Sequence, residues 1–164
     1  MSTFVRIDIK YKYMEITLSL SQKAVLNEVA QTTGYTGNKM TSDPEAYERI
    51  STVDEDETEL KRFWNESRAE LAKEFIRILC SEGMAADGDT YEIKLNVSVS
   101  FDTALLPSMQ LGLFSYFVQR ITSKWYVFTN KGEAADYATI GTAILNEIKE
   151  KAFYKKKPSR PTYD

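Results

Sequence analysis

The sequence contains no histidine and only one cysteine among its 164 residues. Without histidine it lacks the commonest general base, the usual catalytic triads and the usual transition-metal ligand. The single cysteine, Cys80, permits no intramolecular disulfide, which favours a reducing compartment over a secreted disulfide-stabilised scaffold. Cys80 lies in an apolar stretch that we expect to be helical, where a lone cysteine is usually a small buried side chain. We therefore predict neither a cofactor nor a catalytic centre.

Long apolar runs are also absent. The longest, MQLGLFSYFVQRI, is interrupted by Gln110, Gln119 and Arg120, and it falls short of the roughly 20 apolar residues that span a bilayer. The first residues, MSTFVRIDIK, lack the charged and apolar regions of a signal peptide. We expect a protein of the cell interior without membrane contact.

The composition is that of an ordinary globular protein, with 43% apolar and 27% charged residues. A chain of this length is most simply one domain. We predict a domain over residues 1–154 and an extended basic tail over residues 155–164. The formal net charge of −3 argues against a protein that coats nucleic acid with its whole surface.

Two segments show the alternation of a half-buried strand. Apolar residues occupy every odd position from Tyr91 to Phe101. Near the N-terminus the apolar phase changes from odd to even positions between Tyr13 and Met14. We interpret residues 4–20 as one long strand with a bulge, rather than a hairpin, and expect it to pair antiparallel with the central strand.

The remaining segments have helical spacing. We predict a helix from a Ser21 cap to a Gly34 stop, a short helix after Pro44, and a long amphipathic helix over residues 54–82. Two more, over residues 107–128 and 133–154, should form an antiparallel hairpin. The predicted fold is α+β: a bundle of about four helices with a small antiparallel sheet made from the N-terminal and central strands.

Three segments resemble functional motifs but favour structural interpretations. DEDETE, residues 54–59, lacks the central glycine of a calcium loop and is typical of a helix start. GYTGNKMT, residues 34–41, has the wrong glycine spacing for a phosphate loop and predicts a surface loop with positive-φ glycines. In the aromatic segment 114–128, the spacing predicts a buried stripe of Phe114, Phe117, Ile121, Trp125 and Phe128, with Tyr116, Arg120, Lys124 and Tyr126 partly exposed.

Charge is distributed unevenly along the chain. Residues 41–70 contain ten acidic and four basic residues, whereas residues 149–164 contain six basic and two acidic ones. The candidate interaction residues are Lys155, Lys156, Lys157, Arg160 and Tyr163 in the tail and Asp54, Glu55, Asp56 and Glu57 at the helix start. These charges can pair within one chain or between copies, or the tail can simply be solvated. Head-to-tail contacts that close produce rings, and Pro158 and Pro161 keep the tail extended.

Three stretches resemble small virion structural proteins of tailed phages and prophages of gut bacteria: TGYTGNKM, AYERISTVDEDETELKRFW and ATIGTAILNEIKEKAFYKKKPSRP. The resemblance implies a head–tail connector, ring or tail-completion protein. Its partners would be copies of itself and other virion proteins such as a portal or tail component, with DNA contacted only indirectly. It would occupy the host cytoplasm during assembly and then the virion. The resemblance supplies no catalytic residues.

The first functional hypothesis is accordingly a non-enzymatic protein that forms an oligomeric ring, with Tyr154 and Tyr163 as possible anchors. A nucleic-acid-binding regulator that uses the basic tail with Arg120 and Lys124 is the alternative. An enzyme built on the acidic cluster would need a bound metal.

Overall fold

The computed structural model describes residues 12–162. Its strands are β1 (Tyr13–Ser21), β2 (Leu79–Met84) and β3 (Thr90–Ser98), and its helices are α1 (Gln22–Lys39), α2 (Ala46–Ile50), α3 (Glu57–Glu74), α4 (Leu106–Thr129) and α5 (Lys131–Phe153). The antiparallel sheet has the order β1-β3-β2. The predicted α+β class, with four long helices and a small sheet, is confirmed. The expected hairpin of α4 and α5 is also present, with Asn130 as its only linking residue.

The sheet buries one face against the helices. β1 pairs with β3 from Tyr13 opposite Ser98 to Ser21 opposite Thr90. The even-numbered apolar phase of β1 is the buried one, while the odd positions of β3 face the same core. The β1–β3 register is continuous through Tyr13 and Met14, so the bulge expected at the change of phase is absent from the described strand. Residues 4–11 of the predicted strand lie outside the described residues.

The prediction of one helix over residues 54–82 is wrong at both ends. Residues Asp54–Asp56 form a 3₁₀ turn, α3 ends at Glu74, and residues 79–84 form the edge strand β2. The tight turn that follows explains the change, since Gly88 has a φ of 73°, which glycine adopts without strain. The Asp87 carboxylate accepts hydrogen bonds from the backbone N–H groups of Asp89 and Thr90, both at 2.9 Å. A hairpin with β3 therefore replaces the end of the expected helix.

The predicted loop with positive-φ glycines at residues 34–41 is also wrong. α1 continues through Gly34 and Gly37 to Lys39, although Ser21 caps it as expected, with its hydroxyl accepting from the Ala24 N–H at 3.1 Å. Gly37 serves a different purpose, because an added Cβ would lie 2.7 Å from Tyr47 Cα. The missing side chain lets the backbones of α1 and α2 touch.

Aromatic rings fill the centre of the core. Trp64 on α3 stacks on Phe117 of α4 with ring centroids 4.3 Å apart, and Tyr91 of β3 meets Trp64 edge-on at 5.8 Å. The predicted exposures on α4 are partly wrong, because Tyr116 and Tyr126 are buried while Phe128 is 73% exposed. The Tyr116 hydroxyl donates to the Ser67 carbonyl at 3.1 Å, so its burial leaves no unpaired polar atom at that ring.

An ion network joins α3 to α4. Glu70 accepts from Arg120 at 2.8 Å and from Lys124 at 3.1 Å, and Lys124 also pairs with Glu66 at 3.2 Å. Burial opposes the charged form of Glu70, but the two cations outweigh it, so that the pKa of Glu70 is lowered from its usual value. Arg120 and Lys124 are therefore both paired with carboxylates within the fold.

Both edge strands of the sheet have features that hinder pairing with a further strand. On β1 the Gln110 side chain accepts the Ser19 N–H at 2.9 Å and donates to the Ser19 carbonyl. On β2 the register shifts between Leu79 and Ser81, so Cys80 sits in an irregularity of the strand. Bulges and side-chain caps at edges disfavour pairing with a further strand.

Candidate interaction surfaces at two poles

A negatively charged surface, here called the acidic pole, consists of residues 22–30, 52–61 and 87–89. These segments contain eight acidic and two basic residues. They enclose a groove of about 450 Å³ between α1 and the start of α3, with Leu26, Ala30 and Leu60 among its apolar lining. Ser21 fixes the pole to the end of the sheet, since its hydroxyl donates to Asp89 at 2.7 Å.

The four predicted acidic residues lie together here, but they differ in role. Asp54 and Glu57 line the groove, and Glu57 pairs with Lys61 at 2.8 Å. The hydrogen bond and charge of Lys61 lower the pKa of Glu57. Asp56 is structural, because its carboxylate accepts the Val53 N–H at 2.9 Å. Glu55 is exposed.

A positively charged surface, here called the basic pole, consists of residues 12–13, 76–78, 96–100 and 152–160. These segments contain six basic residues and no acidic one. Asp102, just outside them, pairs with Lys156 at 3.4 Å. A groove of about 480 Å³ opens at this pole, and its lining includes Lys12, Arg77 and Lys155. We call it the basic groove.

The basic pole also exposes large apolar side chains. Tyr13 is 48% exposed, and Phe153 and Tyr154 are each 51% exposed. Ile76 and Val99 are also exposed there. Clusters of exposed apolar groups with a polar rim are typical of binding surfaces. The role of Tyr154 as an anchor stays a prediction.

The tail residues are divided between the pole and solvent. The Lys156 N–H donates to the Ser100 carbonyl at 2.8 Å, which fixes the start of the tail to the loop after β3. Lys155 lines the basic groove, whereas Lys157 and Arg160 are exposed. Tyr163, the remaining tail candidate, lies outside the described residues. Part of the positive charge of the tail, that of Lys156, is thus already paired with Asp102 of the same chain.

The two poles lie at opposite ends of β3. The acidic pole adjoins Thr90 and the basic pole adjoins Ser98, which are separated by about 26 Å at 3.3 Å per residue. The tail leaves α5 in an extended conformation, with φ −68° and ψ 135° at Tyr154. From Lys156, an extended chain advances only about 12 Å to Arg160. The tail cations therefore cannot reach residues 53–57 of the acidic pole in their own chain.

Two groove residues, Lys12 and Arg77, were not predicted from the sequence. Each is a single cation in a segment without a motif, and only the fold brings them beside Lys155. Conversely, Arg120 and Lys124, the body residues of the nucleic-acid hypothesis, are held by Glu70 and Glu66.

The prediction of a buried Cys80 is wrong, because this residue is exposed on the edge strand. Its environment still suppresses reactivity: partial desolvation of the thiol and the neighbouring Glu15 carboxylate raise the pKa of Cys80. A thiol with a raised pKa is mostly protonated at neutral pH and is a poor nucleophile.

Within residues 12–162, no three cysteine, aspartate or glutamate side chains converge as a metal site would require. In the same part of the chain, none of the helices has the length and apolarity needed to cross a bilayer.

No family model matches the chain, and neither a curated protein nor a solved structure shows significant similarity to it.

Proposed function

We propose that this chain is a non-enzymatic structural subunit of a phage particle, which assembles head to tail with copies of itself into a ring at the head–tail connector or neck. Copies of the chain are its first partners, and a portal or tail component is the next.

The observation that carries the proposal is the separation of charge to opposite ends of one small domain. The basic pole contains six basic residues and no acidic ones, while the acidic pole contains eight acidic and two basic residues. Opposite poles attract between copies, and identical poles repel. This pattern favours heterologous contacts over a symmetric dimer, and heterologous contacts that close generate rings.

The placement in a phage particle rests on the resemblance of the three sequence stretches described above. The fold is compatible with such a role, since a connector subunit needs a stable body and exposed terminal segments. The exposed tail and the apolar side chains at the basic pole meet those needs.

The experiment is native mass spectrometry of the purified chain over a range of concentrations, combined with detection of the chain in purified particles. We expect a discrete oligomer and a fixed copy number in the particle. A chain that remains monomeric at every concentration and is absent from particles would overturn the proposal.

A second candidate function is nucleic-acid binding at the basic pole. It is favoured by the exposed rings of Tyr13 and Phe153 among cations, because aromatic groups beside basic ones stack on bases in single-strand-binding proteins. Binding would weaken steeply with salt and would be lost in an Arg77→Glu, Lys155→Glu variant. The Glu92→Lys variant, on the exposed face of β3, provides a control outside the pole.

A further inference from the structure

We propose that the basic groove is the docking site for the turn at residues 53–57 of a second copy of this chain. This turn is called the acidic turn below. The inference rests on the proposed head-to-tail assembly and specifies the surfaces that meet.

The basic groove combines an apolar floor with a cationic rim. Ile78, Val97 and Ala152 form the aliphatic part of the lining, but Val97 and Ala152 are only 2% and 3% exposed, so the half-exposed rings of Tyr13 and Phe153 supply most of the accessible apolar surface. None of its ten lining residues is acidic. Among the described residues, the cations of the rim make no ion pair. Such a groove fits an apolar side chain flanked by carboxylates.

The acidic turn has that composition. Val53 is 55% exposed, and it is followed directly by the exposed carboxylates of Asp54 and Glu55. An exposed valine next to acidic residues offers an apolar contact for the floor and negative charge for the rim. The match therefore involves both apolar and charged groups.

The turn is also held in one shape before it binds. The Asp56 carboxylate accepts the Val53 N–H at 2.9 Å, while the Asp56 N–H donates to the Val53 carbonyl at 2.9 Å. Two reciprocal bonds reduce the conformational entropy that docking would otherwise remove, and preorganised segments bind more tightly for that reason.

The turn that docks must come from another copy. In one chain the acidic turn lies beside Asp89 at one end of β3, whereas the basic groove is lined by residues 96–98 at the other end, roughly 20 Å along the strand. A nucleic acid is the competing occupant, because its bases could stack on the rings of Tyr13 and Phe153, whereas the aliphatic side chain of Ile78 favours a valine. A second copy uses both the floor and the rim.

Disulfide trapping tests the contact directly. In a Cys80→Ser background, Val53→Cys and Phe153→Cys are introduced together and separately. Because a disulfide forms only between residues whose Cα atoms approach within about 7 Å, we expect the double variant to give a ladder of covalent oligomers on mild oxidation. The single variants should give none. Dimers from a single variant would indicate a symmetric contact and overturn the inference.

Charge reversal provides a second test with matched partners. Arg77→Glu with Lys155→Glu reverses the groove, and Asp54→Lys with Glu55→Lys reverses the turn. Each reversed protein should associate more than about tenfold more weakly than the unmodified chain, since like charges then face each other. Mixing the two should restore association. The matched control, Glu92→Lys with Asp136→Lys, changes two exposed carboxylates outside both poles.

The outcomes separate this inference from the proposed function. If the chain forms rings that neither reversal weakens, the groove assignment is wrong while the ring proposal stands. A third outcome would assign the groove to nucleic acid instead. In that case only the groove reversal has an effect, mixing the two reversed proteins does not restore association, and the groove reversal abolishes salt-sensitive DNA binding. If the unmodified chain never associates, both proposals fail.

Discussion

The two glycines of α1 should respond oppositely to the same substitution. A Cβ at Gly37 would lie 2.7 Å from Tyr47 Cα, 3.2 Å from Tyr47 N and 3.3 Å from the Ala46 carbonyl oxygen. All three are backbone atoms, which cannot rotate away, so Gly37→Ala must push α1 and α2 apart. At Gly34 the same Cβ would meet only Tyr47 Cε2 at 3.6 Å, an ordinary van der Waals contact.

The magnitudes follow from two opposing effects. Alanine stabilises a helix interior by about 1 kcal/mol relative to glycine, and overpacking against backbone costs about 3 kcal/mol. Gly37→Ala should therefore lower the free energy of unfolding by about 2 kcal/mol, while Gly34→Ala should raise it by about 1 kcal/mol. For a chain of this size, 1 kcal/mol corresponds to about 2–4 °C in Tm.

Urea unfolding followed by circular dichroism, at one fixed protein concentration, measures both variants. Gly34→Ala serves as the matched control, because it makes the same chemical change three residues away on the same helix. A Gly37→Ala protein as stable as the original, or equal shifts in both variants, would refute the close approach of α1 and α2.

Three further predictions concern the tail, the ion network and the thiol. Deletion of residues 157–164 should weaken the oligomers seen in native mass spectrometry. The Tm should not change, because the contacts of Lys156 with Ser100 and Asp102 remain. Unchanged assembly would make the tail a solvated segment. Glu70→Gln should cost about 1 kcal/mol at pH 7, discounted for partial exposure. Since the fold lowers the pKa of Glu70, the stability that its carboxylate contributes is present above the unfolded-state pKa and is lost as the pH falls through the folded-state pKa. Urea unfolding at pH 7 and in acid should therefore show that the difference in unfolding free energy between Glu70→Gln and the original chain shrinks in acid. A constant difference would contradict the prediction. Glu15→Gln should speed iodoacetamide alkylation of Cys80 by lowering its thiol pKa; an unchanged rate would exclude the Glu15 effect.

The fold class could be predicted because its main signals are local. The alternation in 91–101 places a half-buried strand, and the two C-terminal helices follow from their apolar spacing and short link. The failures occurred where tertiary contacts override local preference. Gly34 was predicted as the helix stop, yet α1 continues through it and through Gly37, whose missing side chain lets the Tyr47 backbone pack against the helix. Residues 79–84 have no strong strand pattern, and they form a strand because the Asp87–Gly88 turn brings them beside β3.

The candidate interaction surfaces were only half predictable. The acidic run and the basic tail are contiguous in sequence, so their charge is visible without a structure. The groove that accompanies the tail is not, since Lys12, Arg77 and Lys155 come from three distant segments. Their proximity depends on the antiparallel register of β1 and β3, which residue composition alone does not encode.

The amide of Gln110 has a consequence for how copies would exchange in the proposed assembly. By binding both backbone groups of Ser19, it occupies a position on β1 where a neighbour's strand would add, and the register shift at Cys80 disturbs the other edge. Copies would then associate through their surfaces, without adding a strand to a neighbour's sheet. No subunit would need to unfold before joining or leaving the oligomer. Oligomers of this chain should therefore equilibrate on the timescale of surface dissociation, and isotope-labelled and unlabelled subunits should mix freely in solution.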